Sequence, residues 1–335
     1  MSDQEGDENL DVDEEREGGV KEENGDTKEE EEKQPDNPLQ LELIKDSLSL
    51  LCKTGDGLSH AYVNLDCKEK SLSDISILAG YIHLRYLDIS KNFICDISAI
   101  NHLTQLLVLK ADYNRITNVQ LEELPYLQVA SFSHNRIKST EGLNHPHLEH
   151  LNLNYNKITE VEGLIPSKLS RLHTLELRGN KLEGLKGINA PNLRNLFLAA
   201  NPITSIEGLK GVNHLTTLHM RECQIQTLDG FSAEMAHLQY LNVKGNLIQD
   251  IKEVKKLQVL PKLRAVVLKF NPISAEDDYR LEVLIALRRI VRLDKDEYAD
   301  DERQEAEETY EQRRQEELAN MEGKEEMIST DNEED

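Results

Sequence analysis

One eleven-residue frame, L-x-x-L-x-L-x-x-N-x-L, returns again and again along this chain and leaves few folds open to it. It begins at Leu84 as LRYLDISKNFI, then at Leu106, Leu127, Leu148, Leu172, Leu193, Leu215, Leu238 and Leu263. Its ninth position is filled by Asn92, Asn114, Asn135, Asn156, Asn180, Asn201, Cys223, Asn246 and Asn271, at steps of 21 to 25 residues. Upstream, Tyr62-x-x-Leu65-x-Cys67-x-x-Lys70-x-Leu72 fits the frame with Lys in the asparagine place, which makes ten copies. A unit this short cannot bury its apolar side alone. It must stack on its neighbours.

The L-x-L core reads as a short strand whose alternate side chains face inward. The asparagine turns inward behind it, where its amide can bond backbone groups of adjacent turns. A buried polar group needs such partners. Cys223 is an accepted substitute in this frame. The following I-x-x-I/V-E-G-L, as from Ile158 to Leu164, makes the return, with room for a 3₁₀ turn or one short helix. The pattern predicts an α/β, leucine-rich-repeat solenoid of about ten repeats, with a parallel sheet on the concave face and helical caps at both ends. The predicted divisions are an acidic disordered tail over 1–38, an N-terminal capping helix over 39–60, the solenoid over 61–274, a C-terminal cap over 275–295 and an acidic, partly helical tail over 296–335. The last of these reads as a solvated charged helix extending from the cap, or as a helix for a partner.

Charge supports those divisions. Residues 1–38 hold 17 acidic and 4 basic side chains, and residues 296–335 hold 18 and 4. The chain carries −24, so residues 39–295 sum to +3. The acidity belongs to the ends. Cys52, Cys67, Cys95 and Cys223 form no C-x-x-C pair, and no glycosylation sequon occurs, which predicts a reducing, cytoplasmic compartment. The acidic start does not read as a signal peptide, no run of residues suits a membrane span, and no basic arm suits nucleic acid.

Strand residues other than leucine should point to the concave face. The residues that directly follow the second strand leucine include Arg178, Arg221, Lys244 and Lys269, a basic column over the C-terminal half. Lys110 joins them from the middle of its strand. Rings gather on the same face: Tyr86, Tyr113, His134, His150, Tyr155, Phe197, His219, Tyr240 and Phe270. This predicts a surface that binds other proteins through aromatic anchors and complementary charge. The plainer reading is a polar face that merely solvates the sheet. A third is an acidic tail docked on the basic column.

Catalytic and cofactor signatures are missing. His145-Pro146-His147-Leu148-Glu149-His150 matches no zinc motif, and Gly55-Asp56-Gly57 is a turn and no phosphate loop. No cofactor and no small-molecule substrate are expected.

Several phrases are more specific than the frame: LSLLCKTGDGLSHAYV (Leu48–Val63), YIHLRYLDIS (Tyr81–Ser90), LKADYNRI, ELPYLQVASF, LHTLELRGN, LQYLNVKGN and LPKLRAVVL. In these the chain resembles a family of leucine-rich-repeat proteins found in the radial spokes of motile cilia and sperm flagella. The resemblance runs over about residues 39–300, and the tails share only acidity. It implies a structural adaptor of the axoneme whose partners are spoke or other axonemal proteins. Two other classes remain open: acidic leucine-rich-repeat nuclear factors that bind histones, and regulatory subunits that grip a phosphatase by the concave face. The interrupting Arg313-Arg314, Leu318 and Met321 weaken the first.

Overall fold

The structure is a computed structural model that describes residues 36–55 and 57–331, with side chains described through 319. The acidic segment predicted as a disordered tail lies outside the described residues, except for positions 36–38. These are already tied to the sheet's flank: Asn37 donates to the carbonyls of Lys70 and Ser71, and Pro38 pairs with Asp74.

Each copy of the frame contributes one very short strand. The degenerate first copy gives β2 (His60–Asp66), with β1 (Leu48–Lys53) before it. The others give β3 (Tyr86–Asp88), β4 (Val108–Lys110), β5 (Val129–Ser131), β6 (His150–Asn152) and β7 (Thr174–Glu176). They continue as β8 (Asn195–Phe197), β9 (Thr217–His219), β10 (Tyr240–Asn242) and β11 (Ala265–Val267). The middle residue of each three-residue strand is buried, as the pleat requires; its neighbours are mostly half-buried or exposed, except in β10 and β11, where all three residues are buried. Register follows the apolar row: Leu65, Leu87, Leu109, Ala130, Leu151, Leu175, Leu196, Leu218, Leu241 and Val266 pair in sequence, all parallel. A slip by one residue would expose the whole row, so the register is strongly specified.

The returns differ along the chain. Ser76–Gly80, Ser98–His102, Ile251–Val259 and Pro272–Ala275 are 3₁₀ helices. The middle repeats return by turns alone.

Both ends of the sheet are closed by antiparallel strands, which the frame does not predict. A helix over 39–60 is not what forms. The helix α1 is Leu41–Ser47, and the chain then runs straight into β1, which pairs antiparallel with β2. The reason is local. Gly55 and Gly57 lie between two strand-like runs, LSLLCK and HAYVNLD, and a hairpin satisfies their backbone groups without placing glycine inside a helix. At the other end, α2 (Tyr279–Ala286) leads to β12 (Arg292–Leu293), parallel to β11, and β13 (Asp296–Glu297) turns back antiparallel on it.

A long helix, α3 (Asp300–Asp331), completes the described chain. Its first turns are docked, not solvated as expected. Ala306 is buried in the core, Arg313 forms a forked pair with Glu282 at 2.6 and 3.0 Å, and Arg288 meets Glu307 at 3.0 Å. Arg280 grips Glu302 with both its Nε and Nη2 and lies 4.1 Å over the Tyr298 ring. Burial, ahead of its charged neighbours, pushes the Tyr298 hydroxyl up. Among the described residues, no helix is long and apolar enough to cross a membrane.

Candidate functional site

The asparagine column is the frame on which the open face of the sheet is built. Asn156 shows the bonding. Its Nδ2 donates to the Phe132 carbonyl one repeat back at 2.9 Å, and to Leu153 and Asn154 of its own turn at 3.1 Å. Its Oδ1 accepts from the Ile137 N–H at 3.0 Å. Asn92, Asn114, Asn135, Asn180, Asn201, Asn246 and Asn271 are buried and repeat this pattern of donation to carbonyls behind them. Cys223 makes long thiol contacts, 3.6 Å to the Leu198 carbonyl and 3.7 Å to that of Arg221, and burial, opposed by the Asn201 and Ile203 backbone, pushes its thiol up to about 11. Beyond the last asparagine an acid ties the cap to the sheet: Asp294 accepts from the Leu268 and Lys269 N–H groups at 2.7 and 2.8 Å and from the Tyr279 hydroxyl at 2.8 Å. The terminal Leu293-Asp294 of the cap was the available signal for this contact.

The residue just before each ladder position has left-handed backbone: Lys91, Tyr113, His134, Tyr155, Gly179, Ala200, Glu222, Gly245 and Phe270 lie between φ 53° and 67°. That turn aims the following asparagine inward. It also lifts its own side chain to the rim of the sheet face. Tyr113, His134, Tyr155 and Phe270, predicted to lie on the face itself, therefore stand along this rim. The sequence does contain a hint, since glycine occupies the column at 179 and 245. Most copies place a residue with a Cβ there at some cost, so the column is hard to see.

The rim rings stack. Tyr113, His134 and Tyr155 are nearly parallel, with centroid separations of 4.1 and 4.4 Å. The Tyr155 ring then lies over Gly179, where a Cβ would come within 2.4 Å of Cδ1. A second run, Phe197, His219 and Tyr240, is tilted, at 4.8 and 5.1 Å, across the strands themselves. His219 and Tyr240 are only 6% and 9% exposed, so these rings are the floor of the face and not anchors that a partner could wrap. By contrast Tyr113, Tyr155 and Phe270 are 51%, 48% and 65% exposed. Tyr86 on β3 and Lys110 on β4 are exposed nearer the N-terminal end and join neither run of rings.

Charge divides the face. At its centre, His150 Nε2 lies 2.9 Å from Glu176, which also accepts from Asn154 at 2.6 Å. Burial works to raise the Glu176 carboxyl, but the His150 and Asn154 contacts prevail and hold it low. Asp112 is also partly buried. Burial raises its carboxyl against the Ser131 hydroxyl at 2.6 Å and the Ser133 N–H at 2.7 Å. These networks between repeats were missed, because the frame treats their positions as variable. Toward the C-terminal end the cations gather. The Arg178 guanidinium lies 4.7 Å over Phe197, and the Lys244 and Lys269 ammonium groups are 5.3 and 5.7 Å from the Phe270 centroid. Arg221 is half-buried in the same column.

The histidines of HPHLEH point apart. His145 is fully buried and its Nδ1 accepts from the Leu124 N–H, His147 Nδ1 is 2.6 Å from the Pro125 carbonyl, and His150 faces Glu176. Among the described residues, no group of three or more His, Cys, Asp or Glu is placed to hold a metal.

A parallel sheet of single-frame strands, backed by an asparagine ladder, defines a leucine-rich-repeat protein. The "Leucine-rich repeat" family model matches residues 176–322, and the "Leucine Rich repeats (2 copies)" model matches 125–166 and 146–190. Leucine-rich repeat-containing protein 23 of Bos taurus is 50% identical over 271 residues, 81% of this chain and 79% of that protein. The Xenopus tropicalis protein of the same name is 51% identical over 286 residues, 85% and 81% of the two chains. The chain belongs to the leucine-rich repeat-containing protein 23 family. Among solved structures, the functional domain of InlJ from Listeria monocytogenes superposes with a TM-score of 0.52 at 19% identity, covering 71% of this chain and 55% of that one, a likeness of fold alone.

Proposed function

We propose that this protein is a non-catalytic adaptor of the ciliary and sperm-flagellar axoneme that helps assemble or stabilise radial spokes. The observation that carries the adaptor reading is the sheet face. Its strands are braced by buried ladder bonds, and its rim offers exposed rings beside cations. A preformed face loses little conformational freedom on binding, so its contacts convert to affinity efficiently. Exposed aromatics with Arg and Lys beside them suit a protein interface. The axonemal setting rests on the resemblance in the phrases quoted above and on membership of the family. Cytoplasmic and cytoskeletal localisation follows from the same reading.

The test is fractionation of tagged full-length protein in ciliated or spermatogenic cells. Retention on detergent-extracted axonemes, with cross-links to spoke proteins falling on the sheet face, is the expected result. Accumulation in nuclei with histones, or co-purification with a phosphatase catalytic subunit, would overturn it.

A further inference from the structure

We infer that the C-terminal half of the rim is a seat for an acidic helix of a partner protein. This rests on the proposed adaptor role of the sheet face and names what that face takes. Between the turns of β7 and β11 the left-handed column falls away to small residues. Tyr155 covers Gly179 at one end and Phe270 stands 65% exposed at the other, with Ala200, Gly245 and one long side chain, Glu222, between them. The result is a shallow trough across four strand steps, about 19 Å at ~4.8 Å per step. Arg178, Arg221, Lys244 and Lys269 line it, each two residues past the end of β7, β9, β10 or β11, and Ala199 leaves a gap in the same place after β8.

The spacing selects the occupant. The column runs across the strands, so a matching segment must present a carboxylate about every 4.8 Å. A helix presents one at alternating i+3 and i+4 positions, a mean rise of about 5.3 Å. An extended peptide presents one at every second residue, about 6.7 Å apart, and falls out of step by roughly 8 Å over the trough. The helix fits and the strand does not. Phe270, with the Lys244 and Lys269 ammonium groups at 5.3 and 5.7 Å from its centroid, offers an apolar stop for a hydrophobic residue at the end of that helix.

One residue opposes the partner. Glu222 is exposed in the trough and lies against Gly245, whose Cβ would sit 3.5 Å from its Cγ. Glu176, the nearby acid on β7, is held by His150 and Asn154 and also feels the Arg178 charge.

The experiment uses the full-length chain and a fluorescein-labelled alanine-based peptide of about 16 residues with glutamates at i, i+3/i+4 and i+7 on one face. A scrambled peptide of equal charge is the control. Expected is salt-sensitive binding of the patterned peptide, weakened at least about tenfold by Lys244→Glu with Lys269→Glu and unchanged by Lys91→Glu on the N-terminal half. Glu222→Ala should tighten binding about threefold, a gain that misfolding cannot produce. Equal binding of the scrambled peptide, or no response to the reversals, overturns the inference. So does concentration-dependent self-association lost in the reversed variant, since the occupant would then be a second copy. Failure here, with axonemal cross-links still falling on the sheet face, would leave the adaptor role standing.

Discussion

The asparagine ladder makes single residues unusually consequential. Asn156 serves three carbonyls and one N–H, all out of water. Asn156→Ala would leave the buried Ile137 N–H without its acceptor and should cost about 2–4 kcal/mol in urea unfolding, beyond the usual ~1 kcal/mol for one bond. Cys223 is the reciprocal case. Its long thiol contacts leave the rung weak, so Cys223→Asn should raise stability by about 1 kcal/mol; an unchanged or lower urea midpoint would show that the thiol's packing matters more than its bonding. His145 sets a pH dependence. Burial, the largest cause, lowers its imidazole from 6.5 to about 4, so between those values the unfolded chain binds a proton that the folded chain refuses. Stability is therefore full above about pH 6.5 and falls as pH drops toward 4, by about 3 kcal/mol from this group. The difference between wild type and His145→Gln, measured as unfolding free energy against pH, should change across that window and be flat above it. The ladder residues were legible in the sequence because nine copies average out local noise. His145 was not, because its place in the frame is a variable one.

At the scale of elements, the repeats were legible and the ends were not. Every strand β3–β11 falls on a copy of the frame, and the parallel register follows its apolar row. The caps occur once each, so nothing repeats to reveal them. Helical spacing at Leu39, Leu43 and Leu48 suggested one helix where a short helix and a hairpin form. The hairpins close both ends of the sheet with paired strands, a common way of protecting an edge. The sequence of α3 looks solvated because acids dominate it. Its docking depends on cations from elsewhere, Arg280 and Arg288, which local periodicity cannot pair with it. Arg280 is the hub: it holds Glu302, donates to the Glu297 carbonyl at 2.6 Å and covers Tyr298. Arg280→Ala should loosen the first turns of α3 by about 1–2 kcal/mol, a figure reduced for screening at these one-third exposed side chains. Hydrogen exchange over residues 300–313 should quicken while the repeats keep their protection. If the repeats quicken equally, α3 is part of one cooperative unit with them.

For the whole molecule, each strand pairs with that of the next repeat, so stability is close to a chain of neighbouring interfaces. Such a chain is as cooperative as its weakest link, and Phe132 is a position where one substitution would create such a link. It is the largest of the fully buried side chains, and its neighbours one repeat back and in its own repeat include Ala111 and Ala130. Its ring fills volume that leucines fill elsewhere in the frame. Phe132→Ala should therefore cost about 3–5 kcal/mol, the cavity adding to the lost transfer energy. The loss would fall between β4 and β6, and it should do more than lower the midpoint. Exchange protection would separate into two blocks on either side of Asn135, and urea unfolding would show a reduced slope as two-state behaviour fails. Restoring the frame with Ala130→Leu and Phe132→Leu together refills the space lost in Phe132→Ala but adds roughly two methylenes over the original pair, so it should recover stability to within about 1–3 kcal/mol. If the double variant is no better than Phe132→Leu alone, the alanines are there for close backbone approach and not for compensation. The same measurement bears on function. A solenoid split at its middle would present the ring stack and the basic trough as two loosely joined surfaces, and a partner that spans both would lose affinity in proportion to the lost preorganisation.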